Sequence, residues 1–225
     1  MRTVINSTFI SLDGVIENPR LWPALGRSSG GRADQINTDL LLSCDAVRMG
    51  RRTYQGFAAV WPTRSGDPYS DQINTMPKYV ASSTLRDPEW ANTQVVTGDI
   101  PAEIAKLKSE PGRDVIQYGY GQLTRTMLEH GLLDELRLWL HPQIVGGAPT
   151  DDLLFRAGPS AVFDLTDVTT LANGIVILTY QARPGRCRCR LCGIAHGHHQ
   201  LQAKLARRSF KDPSRKGWEP SDESL

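Results

Sequence analysis

Two adjacent arginines, Arg51 and Arg52, follow Gly50 where a short apolar run, Ala46–Met49, gives way to a helical pattern. Cations in the first turn of a helix have the wrong sign for its dipole, by a few tenths to about 1 kcal/mol each, unless an anion sits among them. Gly50 permits close backbone approach and Thr53 adds a hydroxyl, so the segment suits a phosphate; the alternative is that both guanidinium groups reach solvent or nearby carboxylates. Gly119-Tyr120-Gly121-Gln122-Leu123 follows the strand-like Asp114–Tyr118 and opens another helical run. Gly-x-Gly between strand and helix lets backbone crowd a pyrophosphate against a helix N-terminus, although the third glycine of the full dinucleotide fingerprint is absent and a tight turn reads equally well. Ser82-Ser83-Thr84, with Arg86 nearby, ends a third strand with hydroxyls that suit a ribose phosphate or an ordinary polar turn. Three anion-friendly strand ends in one chain point together to a phosphorylated dinucleotide.

The elements that must position these segments alternate along the chain. Thr3–Ile10 reads as a strand, followed by a loop rich in Pro, Gly, Arg and Ser as far as Gly31, and then by a helix over Ala33–Ser43. Ala46–Met49 is a buried strand, Arg51–Ala59 a helix, and Lys78–Ala81 and Gln94–Thr97 strands. Pro101 at a first helical position predicts a helix over Ala102–Lys108. Asp114–Tyr118 is a strand and Gln122–His130 a helix that Gly131 can cap. From Leu136 to His141 apolar and polar residues alternate, and Ala161–Thr170 and Ile175–Ala182 are joined across Asn173-Gly174, a hairpin signal. The pattern predicts an α/β fold with a mostly parallel central sheet, helices on its faces and an antiparallel C-terminal hairpin.

Composition bounds the rest. Of 225 residues, 40% are hydrophobic and 22% charged, ordinary values for a globular chain with a sizeable core. The net charge of +2 hides an asymmetry: residues after 182 carry ten Lys or Arg against four Asp or Glu, and those before it 16 against 20. A mildly acidic body offers no nucleic-acid face, and no apolar run approaches the ~20 residues of a membrane span. Without a recognisable signal peptide, and with Cys44 the one cysteine in the body, the expectation is a cytoplasmic protein. The domain boundary is placed at 182, with residues 183–225 a basic tail. There Cys187, Cys189 and Cys192 precede His196, His198 and His199. Zinc ligands are one reading, but the C-x-C-x-x-C spacing is not a usual structural-zinc pattern; an unstructured extension without metal is the other, and no metal is expected. Gly26-Arg27-Ser28-Ser29-Gly30 matches the hydrolase nucleophile elbow in letters only, lacking the strand before it and the helix behind it.

Taken in order, Ser11-Leu12-Asp13-Gly14-Val15-Ile16-Glu17, Met49-Gly50-Arg51-Arg52-Thr53-Tyr54, Gly119-Tyr120-Gly121-Gln122-Leu123, Asp134-Glu135-Leu136-Arg137-Leu138, His141-Pro142 and Gly146-Gly147 form a recognisable set. Over about residues 1–182 the chain resembles the dihydrofolate reductase-like superfamily, and within it the reductase domain of the bacterial riboflavin-biosynthesis deaminase-reductase. The resemblance implies a dihydrofolate reductase-like fold and NADPH as cofactor, with Gly50, Arg51, Arg52, Thr53, Ser82, Ser83, Thr84, Gly119, Tyr120, Gly121, Gln122 and Leu123 at the matching positions. Tyr120 departs from the family, where a small residue is usual; Ala148 replaces a common third glycine. The resemblance places Asp13 in a loop over the nicotinamide, and Asp34, 16 positions before Gly50, has a spacing similar to that of the substrate carboxylate of dihydrofolate reductases. These two are the candidate catalytic groups, and Val15, Trp22 and Tyr54 the candidates to meet substrate, although Trp22 could equally anchor the loop. The function implied is hydride transfer from NADPH to a pteridine-like or ribosylaminopyrimidine-like heterocycle. The alternatives are reduction of an unrelated small molecule, or NADPH binding without turnover in a sensor. Antiparallel strands at the sheet edge would suit a homodimer.

Overall fold

The computed structural model describes residues 1–23, 31–154 and 158–183. Among the described residues eight strands, β1 (Val4–Ser11), β2 (Cys44–Gly50), β3 (Lys78–Ala81), β4 (Thr93–Val96), β5 (Asp114–Tyr118), β6 (Glu135–His141), β7 (Phe163–Thr170) and β8 (Val176–Ala182), form one sheet in the order β4-β3-β2-β5-β1-β6-β8-β7. The first six in that order run parallel; β8 pairs antiparallel with β6, and β7 antiparallel with β8. The expected mostly parallel sheet with an antiparallel hairpin is therefore present. Gly174, at φ +87°, makes the hairpin turn.

Helices α1 (Arg32–Ser43), α2 (Arg51–Ala58) and α3 (Pro68–Thr75) cover one face of the sheet, and α4 (Ile100–Ser109) and α5 (Gln122–Glu129) the other. Side chains alternate along each central strand, as the two-residue period requires. Ile5, Val47 and Ile116 pack with Leu40, Leu41, Tyr54 and Ile73; their neighbours Val4, Ala46 and Val115 pack with Ile104, Leu107, Leu123 and Met127. Burial on both faces is why these strands read as nearly continuous apolar runs.

Asp134, from the quoted motifs, and Trp139 tie this scaffold together. Asp134 accepts the Val4 N–H at 2.7 Å and pairs with the buried Lys108, joining α4 to the start of β1 and β6. Trp139 donates Nε1–H to Ser7 Oγ at 3.1 Å across β6 and β1.

Helix α3 lies in a stretch where no element was expected. Asp67 caps it by accepting from Ser70 N–H, and Pro68 opens it. Helix α4 begins two residues earlier than expected, because Asp99 accepts from Ala102 N–H and so moves Pro101 one place inward. Strand β7 begins at Phe163 rather than Ala161. Among the described residues, no helix is long and apolar enough to cross a membrane. The cysteines and histidines of the tail and the Gly26–Gly30 segment lie outside the described residues.

Candidate functional site

The order of the strands decides where a ligand can enter. From β2 the chain travels by α2 and α3 out to β3, away from β5; from β5 it travels by α5 over β1 to β6, away from β2. Where adjacent parallel strands send their connections in opposite directions, their carboxyl ends part and leave a crevice. Here that point lies between β2 and β5, and it holds a cavity of about 690 Å³, within the size range of small-molecule sites.

All twelve expected cofactor positions line this cavity: Gly50 to Thr53, Ser82 to Thr84 and Gly119 to Leu123. Helices α2 and α5 begin at its wall on Gly50 and Gly121, neither with a side-chain cap, whereas α3 and α4 are capped by Asp67 and Asp99. First-turn N–H groups without a side-chain acceptor, on two converging helices, make an electropositive floor. Arg51, Arg52 and Arg125 add guanidinium groups to the same lining.

Gly119 fixes the shape between the two helix starts. Its φ of +79° is one that L side chains rarely adopt, and a Cβ there would stand 2.6 Å from Thr53 Oγ1. Its carbonyl accepts from Asn6 Nδ2 at 2.9 Å, Gln117 Nε2 at 3.2 Å and Thr124 Oγ1 at 3.3 Å, so the turn is held from β1, β5 and α5 together. Tyr120 forms part of the wall and packs on the α4–α5 core; burial pushes its phenol pKa up, so it is a neutral surface. At the other end, Ser82 Oγ accepts from Leu85 N–H at 2.9 Å and shapes the loop after β3. Arg86 turns back onto the carbonyls of Ser83 and Leu85, each at 3.1 Å, and does not line the cavity.

The expected substrate and catalytic residues lie elsewhere. Tyr54 is 4% exposed, packs against Trp90, and its hydroxyl accepts the Trp90 N–H at 3.3 Å; it is a core residue. Val15 is buried and bridges to Leu153. Trp22 donates Nε1–H to the Glu17 carbonyl at 3.0 Å and stacks edge-on against His141, ring centroids 5.3 Å apart, so it anchors the loop. The Asp13 carboxylate accepts from Ser11 Oγ at 2.5 Å, Gly146 N–H at 2.8 Å and Val145 N–H at 3.2 Å. These bonds hold its pKa down to about 2, the state of a loop clamp and not of a proton donor near neutrality. Asp34 stands exposed in the first turn of α1, outside the set lining the cavity.

Several further lining residues were not singled out in the sequence, among them Thr97, Gly98, Arg125 and Glu17. Thr97 and Gly98 end β4 much as Ser82 to Thr84 end β3. Arg125 follows Gln122 by three positions, the spacing of one helix face, and that was a readable signal. Glu17 belongs to a motif already singled out, but only the fold turns it toward the cavity. Burial pushes its carboxyl pKa up, Asp152 adds to that, and Arg52 opposes it.

A phosphorylated dinucleotide fits this donor set: bare helix starts and arginines for phosphates, hydroxyls after β3, and a glycine turn whose Cβ would fill the cradle. The RibD C-terminal domain family model matches residues 2–177. The uncharacterized protein YyaP of Bacillus subtilis (strain 168) is 29% identical over 189 residues, covering 80% of this chain and 94% of that protein. Among solved structures, a putative riboflavin biosynthesis protein from Shewanella sp. PV-4 is 22% identical with a TM-score of 0.59, covering 81% of this chain and 99% of that one. A pyrimidine reductase-like protein from Corynebacterium diphtheriae is 13% identical with a TM-score of 0.56, covering 82% and 93% respectively. Acinetobacter baumannii RibD is 17% identical with a TM-score of 0.55; 81% of this chain spans 58% of that longer one. The dihydrofolate reductase-like architecture that the motifs implied is the fold of this protein, and the chain belongs to the RibD C-terminal domain family.

Proposed function

We propose that the protein is an NADPH-dependent reductase acting on a pteridine-like or ribosylaminopyrimidine-like heterocycle. The observation that carries this reading is the cavity at the β2–β5 switch point, where two glycine-started helices and three arginines converge. Bound there, the cofactor supplies hydride; the chain's part is to hold it, to orient the heterocycle and to provide a proton. The helix starts at Gly50 and at Gly121 to Leu123 would carry the pyrophosphate, with the guanidinium groups of Arg51 and Arg52, Ser82 to Thr84 and Thr97 toward the phosphorylated ribose. Family membership favours a reductase, and the neighbours described as riboflavin-biosynthesis or pyrimidine reductase-like proteins favour a nitrogen heterocycle as substrate.

The test is NADPH oxidation by the full-length protein, measured with dihydrofolate, with the riboflavin-pathway aminopyrimidinone and with a panel of related heterocycles. Turnover with one of them is the expected result. Tight NADPH binding with no oxidation across the panel would replace the reductase by a sensor, and failure to bind NADPH would remove both readings.

A further inference from the structure

The cavity lining contains a carboxyl, Glu17, whose surroundings are tied to the α2 start. Residues 14–16 are zipped to 152–154: Ile16 N–H donates to the Asp152 carbonyl at 2.9 Å, Leu154 N–H to the Gly14 carbonyl at 2.8 Å, and Val15 bridges Leu153. This lays Glu17 beside the turn carrying Asp151 and Asp152, and the Trp22 indole holds the Glu17 carbonyl from the other side. Glu17 and Asp151 both line the cavity, as do Gly119 to Gln122.

Arg52 joins the surroundings of Glu17 to that helix start. Its Nη1 lies 3.8 Å from Asp152 Oδ1, a loose pair from a side chain 68% exposed, while its backbone forms the α2 start where a phosphate is expected. The charged groups around Glu17 are thus Arg52 from α2 and Asp151 and Asp152 from the 150–152 turn, with Arg51 and Arg125 also in the cavity lining. Arg52 favours the Glu17 carboxylate; burial and Asp152 favour the acid. An arriving phosphate would take up the positive charge of Arg52 and leave Glu17 facing Asp152 with less compensation.

On the reading that the cavity binds NADPH, we propose that Glu17 is the acid of the active site and that Arg52 couples its protonation to cofactor binding. One proton is taken from solvent as the phosphates engage Arg52. In turnover that proton leaves the Glu17 carboxyl and forms an N–H bond as the π pair of a substrate C=N bond moves to nitrogen. The carbon gains a C–H bond from the hydride, the cofactor is oxidised by two electrons, and the Glu17 carboxylate regains a proton from water. Tying the acid to the cofactor keeps a neutral Glu17 for the moment at which hydride is available.

The experiment is calorimetry of NADPH binding to the full-length protein near neutral pH in buffers of differing ionisation enthalpy. Net uptake of a fraction of one proton per NADPH is expected. It should vanish in Glu17→Gln, which as a permanently neutral side chain should bind NADPH at least as tightly as wild type, and shrink in Arg52→Gln. Binding without proton uptake, or uptake that persists in Glu17→Gln, would overturn the proposal while leaving the NADPH reading in place. Absence of NADPH binding in the wild type would instead overturn the reading itself. For a heterocycle that turns over, Glu17→Gln should lower kcat by roughly 100-fold or more without raising the KM for NADPH, and Glu17→Asp should recover part of the loss. An unchanged kcat in Glu17→Gln would refute its role as the acid.

Discussion

Replacing Gly119 by alanine should damage the site in a way that a second substitution can partly repair. The backbone there has φ +79°, and an L residue held in that region costs about 1–2 kcal/mol. The new Cβ would also meet Thr53 Oγ1 at 2.6 Å, whereas Thr53 Cβ and Cγ2 lie at an ordinary 3.8 Å. Turning Thr53 out of its rotamer to clear the contact adds on the order of 1 kcal/mol. The sum, about 2–3 kcal/mol, corresponds to a 30- to 150-fold or so loss if it falls on the cofactor-bound state. The turn cannot relax cheaply, because its carbonyl is held by Asn6, Gln117 and Thr124. Denaturant unfolding and NADPH binding, measured for wild type, Gly119→Ala, Thr53→Ala and the double variant, make a cycle that separates the two costs. In the Thr53→Ala background only the backbone part should remain, so the penalty of Gly119→Ala should fall by about 1 kcal/mol. A penalty of the same size in both backgrounds would refute the steric account, and no penalty in either would refute the whole argument.

Other expectations follow from the same geometry. The folded pKa of Asp13, about 2, lies below its ordinary 3.8, so its contribution to stability is present above that ordinary value and is lost as pH falls through about 2. Acid unfolding of Asp13→Asn should accordingly show less pH dependence across that window than wild type, and an identical profile would contradict the clamp. Tyr69 donates its hydroxyl to Tyr118 at 2.9 Å in the core behind the cavity, so Tyr69→Phe should cost about 0.5–1.5 kcal/mol in denaturant unfolding. Asp34→Asn, on an exposed first turn, should change stability by no more than about 0.5 kcal/mol and leave kcat and substrate KM alone for any heterocycle that turns over; a large loss of kcat/KM would return Asp34 to the site.

Much of this arrangement could be read from residue order, and the parts that could not share a physical cause. Strand–helix alternation and the glycines before α2 and α5 are local signals, governed by backbone conformation within a few residues, and each of the twelve cofactor positions lines the cavity. The insertion of β5 between β2 and β1 is not local, yet it alone brings Gly50 and Gly119 to one crevice. Helix α3 was missed because it buries only Tyr69, Ser70 and Ile73, too few for a clear apolar stripe, although Asp67-Pro68 carried its start signal. Glu17 and Asp13 sit four positions apart in one loop, and nothing in their spacing says which turns inward. That choice is made by the 14–16 to 152–154 contact and by the amides of Val145 and Gly146, far away in sequence. Tyr54 lies two positions after Arg52, but its place on α2 points it into the core.

The central claim is that Arg51 and Arg52 crowd a helix start because a phosphorylated dinucleotide balances them. Calorimetry of NADPH against NADH, on wild type and on the Arg51→Ala/Arg52→Ala double variant, tests it most directly. Each guanidinium–phosphate contact is worth about 1.5–3 kcal/mol, so wild type should prefer NADPH by at least roughly tenfold, and the double variant should bind it far more weakly. Equal affinity for the two dinucleotides, or NADPH affinity untouched by removing both arginines, would contradict the account.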